Sequence, residues 1–163
     1  MRLNDAACRE IMKRLLFLLA LLLAGPGCGP ATNDPGITVY LQLIRGNDQD
    51  TPPTADARPI GPKLSEDLHS VFKWRRYWEL KRDSVVVRPG QKVRRRMSPE
   101  REVEIELLDS QRMAARIYLN GKLTRSRTQP AEGAFYVAGG DKGEGQSWFI
   151  VLRWDRPLDA EKE

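Results

Sequence analysis

The densest charge in the chain is Lys92-Val93-Arg94-Arg95-Arg96, in which only Val93 is uncharged. Cations at that density attract phosphates, sulfates and carboxylates, so the run could hold nucleic acid, lipid A phosphates or another acidic polymer. A little further on, Glu102, Glu104 and Glu106 alternate along an apparent strand. If Met97 to Arg101 forms a five-residue hairpin loop, Arg96 faces Glu102, Arg94 faces Glu104 and Lys92 faces Glu106. That register also sets Val93 against Ile105 on the opposite face, so charge and burial select the same pairing. A four-residue loop would instead oppose Val93 to Glu106. The run is therefore expected to be a neutralised strand face that binds polyanions poorly, and the register accounts for all its cations but Arg95 and Arg101.

Phe72-Lys73-Trp74-Arg75-Arg76-Tyr77-Trp78 mixes aromatic and basic side chains, the types that stack on sugars or enter a membrane interface. Period-2 alternation predicts a core strand instead, with Trp74 and Trp78 inward and Arg75 and Tyr77 outward. The candidate anion-binding set is then Arg95, Arg101 and Arg75, with the aromatics near them. Glu102, Glu104 and Glu106 have the roughly 7 Å spacing of an inverting carboxylate pair, but such pairs need a cleft, and these have basic partners opposite. His69 with Ser65, Ser70 and Asp67 is a nominal triad. Consecutive helical positions do not face one another, and no Gly-x-Ser-x-Gly elbow is present. Asn47-Asp48-Gln49-Asp50 lacks the Gly and distal Glu of a calcium loop. Gly139 to Gly145 lacks the Gly-Lys-Ser/Thr ending of a phosphate loop. No catalytic residue, metal ligand or cofactor is expected, and the chain does not read as an enzyme.

These residues are placed by short extended segments. Ile37 to Ile44 alternates and is rich in β-branched residues, predicting a first strand. Gly46 to Pro62 is a Pro- and Asp-rich excursion. Leu64, Leu68, Val71 and Phe72 share one helical face, predicting one short helix at about residues 63–72. Strands follow around Trp74–Leu80, Val85–Val87, Lys92–Arg96, Glu102–Leu108, Ala114–Leu119, Lys122–Arg127, Ala134–Ala138 and Ser147–Trp154. Arg88-Pro89-Gly90-Gln91 suits a type II turn, and Asn120-Gly121 a two-residue hairpin turn. The fold class expected is all-β: an antiparallel sandwich or small barrel of about eight strands. Its apolar spine should include Val39, Leu41, Trp78, Val86, Val93, Ile105 and Ile150.

The chain has 163 residues, with 27 Lys+Arg against 22 Asp+Glu, one His and two Cys. That length suits one compact domain, and so few His and Cys argue against most zinc, haem and iron–sulfur sites. No stretch reaches the roughly 18 apolar residues of a membrane-spanning helix. Residues 1–27 hold four basic and two acidic groups, so the remainder carries 23 cations against 20 anions. Both cysteines lie within the first 28 residues, so a body from Gly29 onward could contain no disulfide.

Lys13-Arg14 precedes an unbroken apolar run, Leu15 to Ala24, and Gly25-Pro26-Gly27-Cys28 follows. A basic segment, an apolar segment and small residues make a secretory signal peptide. Met12 to Cys28 resembles the bacterial lipoprotein precursors, in which a Cys directly follows the signal peptide and is acylated. It departs from their pattern in having Gly25 where they carry Leu, and in Pro26. The resemblance implies lipidation at Cys28, a membrane anchor as partner and, with Gly29 in place of a retention Asp, the outer membrane. Export makes nucleic acid an unsuitable partner. Pro62-Lys63-Leu64, Val71-Phe72-Lys73-Trp74, Arg101-Glu102-Val103-Glu104-Ile105 and Gly139-Gly140-Asp141 are similar to blocks in small exported bacterial proteins, which bring no activity with them. The expected organisation is a signal peptide at 1–27, a tether at 28–36, a single β domain at 37–158 and a disordered tail at 159–163. The expected role is that of a non-enzymatic envelope accessory or assembly component. The alternative is a binding module for an anionic glycan or lipid head group. Asp5 and Glu10 do not suit a basic leader, so translation is expected to start at Met12. N-terminal sequencing of a precursor blocked in signal-peptide cleavage should begin Met12-Lys13-Arg14; recovery of Arg2-Leu3-Asn4 would refute this.

Overall fold

The computed structural model describes residues 35–158 apart from 132, 134, 135 and 144. Cys28, the expected leader and the expected tail lie outside the described residues. Within them the chain forms β1 (Ile37–Asn47), β2 (Arg58–Pro59), the helix α1 (Pro62–Val71), β3 (Arg76–Val87), β4 (Lys92–Arg96) and β5 (Arg101–Leu107). β6 (Arg112–Leu119), β7 (Lys122–Pro130), β8 (Tyr136–Gly143) and β9 (Gln146–Arg153) complete it. One sheet has the order β2-β3-β1-β9-β8 and the other β4-β5-β6-β7, with neighbouring strands antiparallel. This is an all-β sandwich and not a closed barrel.

Alternation builds the space between the sheets. Val39, Leu41 and Leu43 of β1, Val103, Ile105 and Leu107 of β5, and Met113, Ala115 and Ile117 of β6 belong to one buried cluster with Ile150 and Leu152 of β9. Each large aliphatic side chain buried there contributes roughly 1.5–3 kcal/mol. The first sheet is covered on its other face too. α1 starts at Pro62, whose missing N–H costs nothing in a first turn, and buries Leu64 and Leu68, one turn apart, against Ile44, Tyr77, Phe149 and Val151. Burial on both faces explains why Phe149-Ile150-Val151-Leu152 is continuously apolar. Phe72 closes this second layer, its ring 4.6 Å from that of Phe149.

Several expectations change in register. The segments expected as two strands, Trp74–Leu80 and Val85–Val87, merge into one continuous β3 that begins at Arg76; Trp74, expected on the inward strand face with Trp78, precedes the strand and packs on the helix-side cluster. Leu43 pairs with Lys81 but Ile44 with Glu79, so Leu80 is an extra residue, a β-bulge. A one-residue insertion exchanges the faces of everything beyond it. Trp78 therefore points between the sheets as expected, whereas Val85 and Val87 take the inward places and Val86 is 53% exposed. Tyr77, expected outward, leaves the inter-sheet space but is covered by α1 and buried. Val39, Leu41, Ile105 and Ile150 of the expected spine are buried, and Val93, on the edge strand β4, only in part. Gly139–Gly145 is mostly strand, with a second bulge at Gly140, φ +105°. β2, inside the expected excursion, is the ninth strand.

Both expected turns form. Gly90 has φ +74° and Gln91 N–H donates to the Arg88 carbonyl at 2.9 Å, as a type II turn requires. Asn120 and Gly121 have φ 49° and 75°, the pair of positive values that matches the twist of a two-residue hairpin. Gly121→Val should destabilise the fold by about 1 kcal/mol or more in urea unfolding, because a β-branched residue is strained there although the space is open.

Candidate functional site

β4 and β5 pair in the register expected from charge: Lys92 opposite Glu106, Arg94 opposite Glu104, Arg96 opposite Glu102, and Val93 opposite Ile105. In the same register Met97 N–H donates to the Arg101 carbonyl at 2.9 Å, so the pairing runs one step further and the loop is Ser98 to Glu100. Arg96 reaches Glu102 at 3.2 Å and Lys92 reaches Glu106 at 3.7 Å. Arg94 does not bond its direct neighbour. It crosses diagonally to Glu102 at 2.6 Å and lays its guanidinium over Tyr118, 3.9 Å from the ring centroid. Its place is taken by Arg116, opposite Glu104 on β6, which meets Glu104 at 3.1 Å and Glu106 at 2.6 Å. Arg116 was not picked out in the sequence, because its pairing with Glu104 spans a second hairpin. The hydrogen bond from Arg96 holds the Glu102 carboxyl below the usual range, and the hydrogen bond from Arg116 does the same for Glu106.

The three cations proposed for anion binding are dispersed. Arg95, on the inward side of β4, pairs with Asp83 of β3 at 3.6 Å and clips the two sheets together at that edge. Arg101 is buried, its guanidinium 4.2 Å from the Trp148 ring centroid and 3.1 Å from Glu100. Arg75 lies on the helix side, 3.9 Å from Asp50, with its backbone N–H donating to Asp48. None of the described contacts joins one of these three to another.

The other motifs have structural occupations. Asn47 accepts the Trp78 indole N–H and the Gln49 N–H, while Asp50 accepts from Arg76. Ser65 and His69 do meet, one helical turn apart, Oγ to Nδ1 at 3.2 Å. Nδ1 lies closer to the Ser65 carbonyl, at 2.7 Å, and an N–H donated there cannot also take the Ser65 proton. Tyr77, with its hydroxyl donating toward the Leu68 and Phe72 carbonyls, has its phenol pushed up to about 12, chiefly by burial.

A second group of cations surrounds Trp148. Arg45 of β1 is directly opposite Trp148 in register, its guanidinium 4.3 Å from the ring centroid. Its Nε is buried with no hydrogen-bond partner, and no described carboxylate pairs with it. Burial, and then the charge of Arg101, hold the Arg45 guanidinium below its ordinary value. Beside Trp148, between β7 and β8, is a cavity of about 30 Å³ with Arg101, Thr124 and Arg125 on its wall and Ile117, Ala138 and Ile150 at its floor. Arg125 donates to the Gly139 carbonyl at 3.1 Å, and Arg127 lies 5.6 Å from the Tyr136 ring. Isolated arginines on separate strands gave no cluster to notice in the sequence. Across Phe72, Trp74, Asp48 and Gln146 there is also an open groove of about 710 Å³.

Comparison with protein-family models, with curated proteins and with solved structures found no match.

The ladder yields a pH test. Both depressed carboxylates favour the folded state above their unfolded values, and that contribution is lost as pH falls through the lower folded values. Carboxyl NMR titration should place Glu102 and Glu106 below ordinary glutamates. Arg116→Ala should move Glu106 upward and lower the melting temperature more than Arg94→Ala, since it strips two partly buried carboxylates. An unmoved Glu106 would contradict the assignment.

Proposed function

We propose that the chain is an exported, lipid-anchored β-sandwich that serves the cell envelope as a non-enzymatic accessory component. The reading is supported by the leader-like segment ending at Cys28, followed after a short stretch by β1 at Ile37. The geometry adds one observation: Lys92, Arg94 and Arg96 of the conspicuous basic run pair with Glu102, Glu104 and Glu106 within their own sheet and Arg95 pairs with Asp83 of the other, which suits a structural face better than a polyanion site. β1 also separates the ends of the body. Its Ile37 end follows the tether, and its Asn47 end carries Arg45 and the turns before β3 and β9.

The second reading, a binding module for an anionic glycan or lipid head group, is favoured by one feature. Arg45 and Arg125 carry no described carboxylate partner and stand near the same indole.

Growth with an alkyne palmitate analogue should label the wild-type chain in a membrane fraction, and Cys28→Ala should abolish the label. Absence of label from the wild type would remove the anchor. Retention on heparin at physiological salt supports the second reading, and release well below that salt opposes it.

A further inference from the structure

The open groove across Phe72 and Trp74 is built on a glycine. Gly46 of β1 pairs with Ser147 of β9, and a Cβ on it would stand 2.7 Å from the Trp74 indole. Its bare backbone lets that ring lie on the strand just past the end of α1. Trp74 is half-buried against the helix-side cluster with Phe72 beside it, so the indole is a fixed aromatic platform and not a free side chain. Around it stand polar groups with bonding capacity unspent. Lys73 Nζ lies 5.3 Å from the Trp74 ring centroid and meets no described carboxylate. Asp48 accepts the Arg75 N–H on one carboxylate oxygen and keeps the other. The side chains of Gln146 and Ser147 line the groove and make no described hydrogen bond.

We propose that this groove binds a short acidic saccharide: a sugar ring lies with its C–H face on Trp74, a ring carboxylate meets Lys73, and hydroxyls bond Asp48, Gln146 and Ser147. A sugar is apolar on its ring faces and hydrogen-bonding at its rim. The groove is arranged the same way, with aromatic rings as its platform and polar groups at its margin. At about 710 Å³ it falls within the size range of small-ligand sites and has room for a disaccharide. Lys73 is exposed on a flexible four-carbon stem, so its ammonium can swing from the indole to a carboxylate at the ring's edge. Val71, 72% exposed beside the groove, would suit a membrane surface, but Asp48 opposes that occupant. Its carboxylate accepts sugar hydroxyls and repels anionic head groups. The inference rests on the glycan form of the second reading above and needs no lipid anchor.

The test is an NMR titration of the full-length chain, isotope-labelled at its tryptophans and held in mild detergent. The probes are cellobiuronic acid and cellobiose, which differ only in a carboxylate against a hydroxymethyl group. The indole signal lost in Trp74→Phe is that of Trp74. Cellobiuronic acid should move it saturably and leave the signal of Trp154, packed on the inter-sheet cluster, in place. Cellobiose should bind about threefold more weakly, the worth of one exposed ion pair. Lys73→Gln, at an exposed position, should abolish that preference without changing the melting temperature. Trp74→Ala should weaken both sugars about tenfold or more. No movement with either sugar, equal movement of all the indoles, or a preference for the acid that survives Lys73→Gln would overturn the proposal. A Trp74 signal that shifts with protein concentration and with neither sugar would make a second copy the occupant and overturn it too. Retention on heparin with Trp74 unmoved would leave the second reading standing at another surface and remove this groove. Movement of Trp74 by the acid without heparin retention would keep the groove and confine binding to short saccharides.

Discussion

The structure depends on a change of parity in β3. The strands of the first sheet show alternate residues to the second sheet and to α1, as Ile150 and Phe149 of β9 do, so which residue meets which layer is fixed by parity. The extra residue at Leu80 switches that parity partway along the twelve-residue β3. Below the bulge in sequence, Trp78 goes to the side of the sheet that bears Arg45 and Asn47, while Tyr77 and Glu79 go to the helix layer. Beyond it, Val85 and Val87 take the inward places. The bulge strains only one step of pairing, yet it decides which aromatic meets Asn47, which carboxylate meets Gln42 and which cation is left facing an indole.

The second sheet solves a different problem. Among the described residues no helix covers its outer face, which is closed by charge and an aromatic ring rather than by apolar cover. The three glutamates sit on β5, between β4 and β6, so each can be approached from both sides. Arg116 bridges two of them, and Arg94 is thereby free to cross to Glu102 and rest on Tyr118. Networks of this kind are worth more than isolated surface pairs, because a carboxylate that loses one partner keeps another.

Local pairing rules were legible in the residues themselves. Lys92 to Glu106 carries its register twice over, in charge and in apolar positions, and Asn120-Gly121 and Pro89-Gly90 carry their turns in backbone preference. The all-β class and the helix bearing Leu64 and Leu68 were legible for the same reason. What was not legible is anything that depends on an inserted residue. Leu80 looks like any other strand residue, so the inward place assigned to Val86 was one position out; Tyr77 was given to solvent for another reason, because nothing local announces that α1 folds back over that face. The partners of Arg45, Arg101 and Arg116 come from strands distant in sequence, and no local spacing announces them. The same holds for the cleft beside Trp148, which exists only once β7 and β8 stand across from one another.

β7 closes the second sheet at its free edge, and every residue from Lys122 to Thr128 is exposed. An open strand edge is a template on which a second molecule can extend the sheet. Here that edge bears Lys122, Arg125 and Arg127 without an intervening acid, so two copies approaching edge to edge bring like charges together. Mutual repulsion opposes that pairing, and it fades as dissolved ions shorten its range to about 8 Å at physiological ionic strength. Sheet extension through β7 is therefore opposed by three side chains on one strand, to a degree set by the surrounding electrolyte.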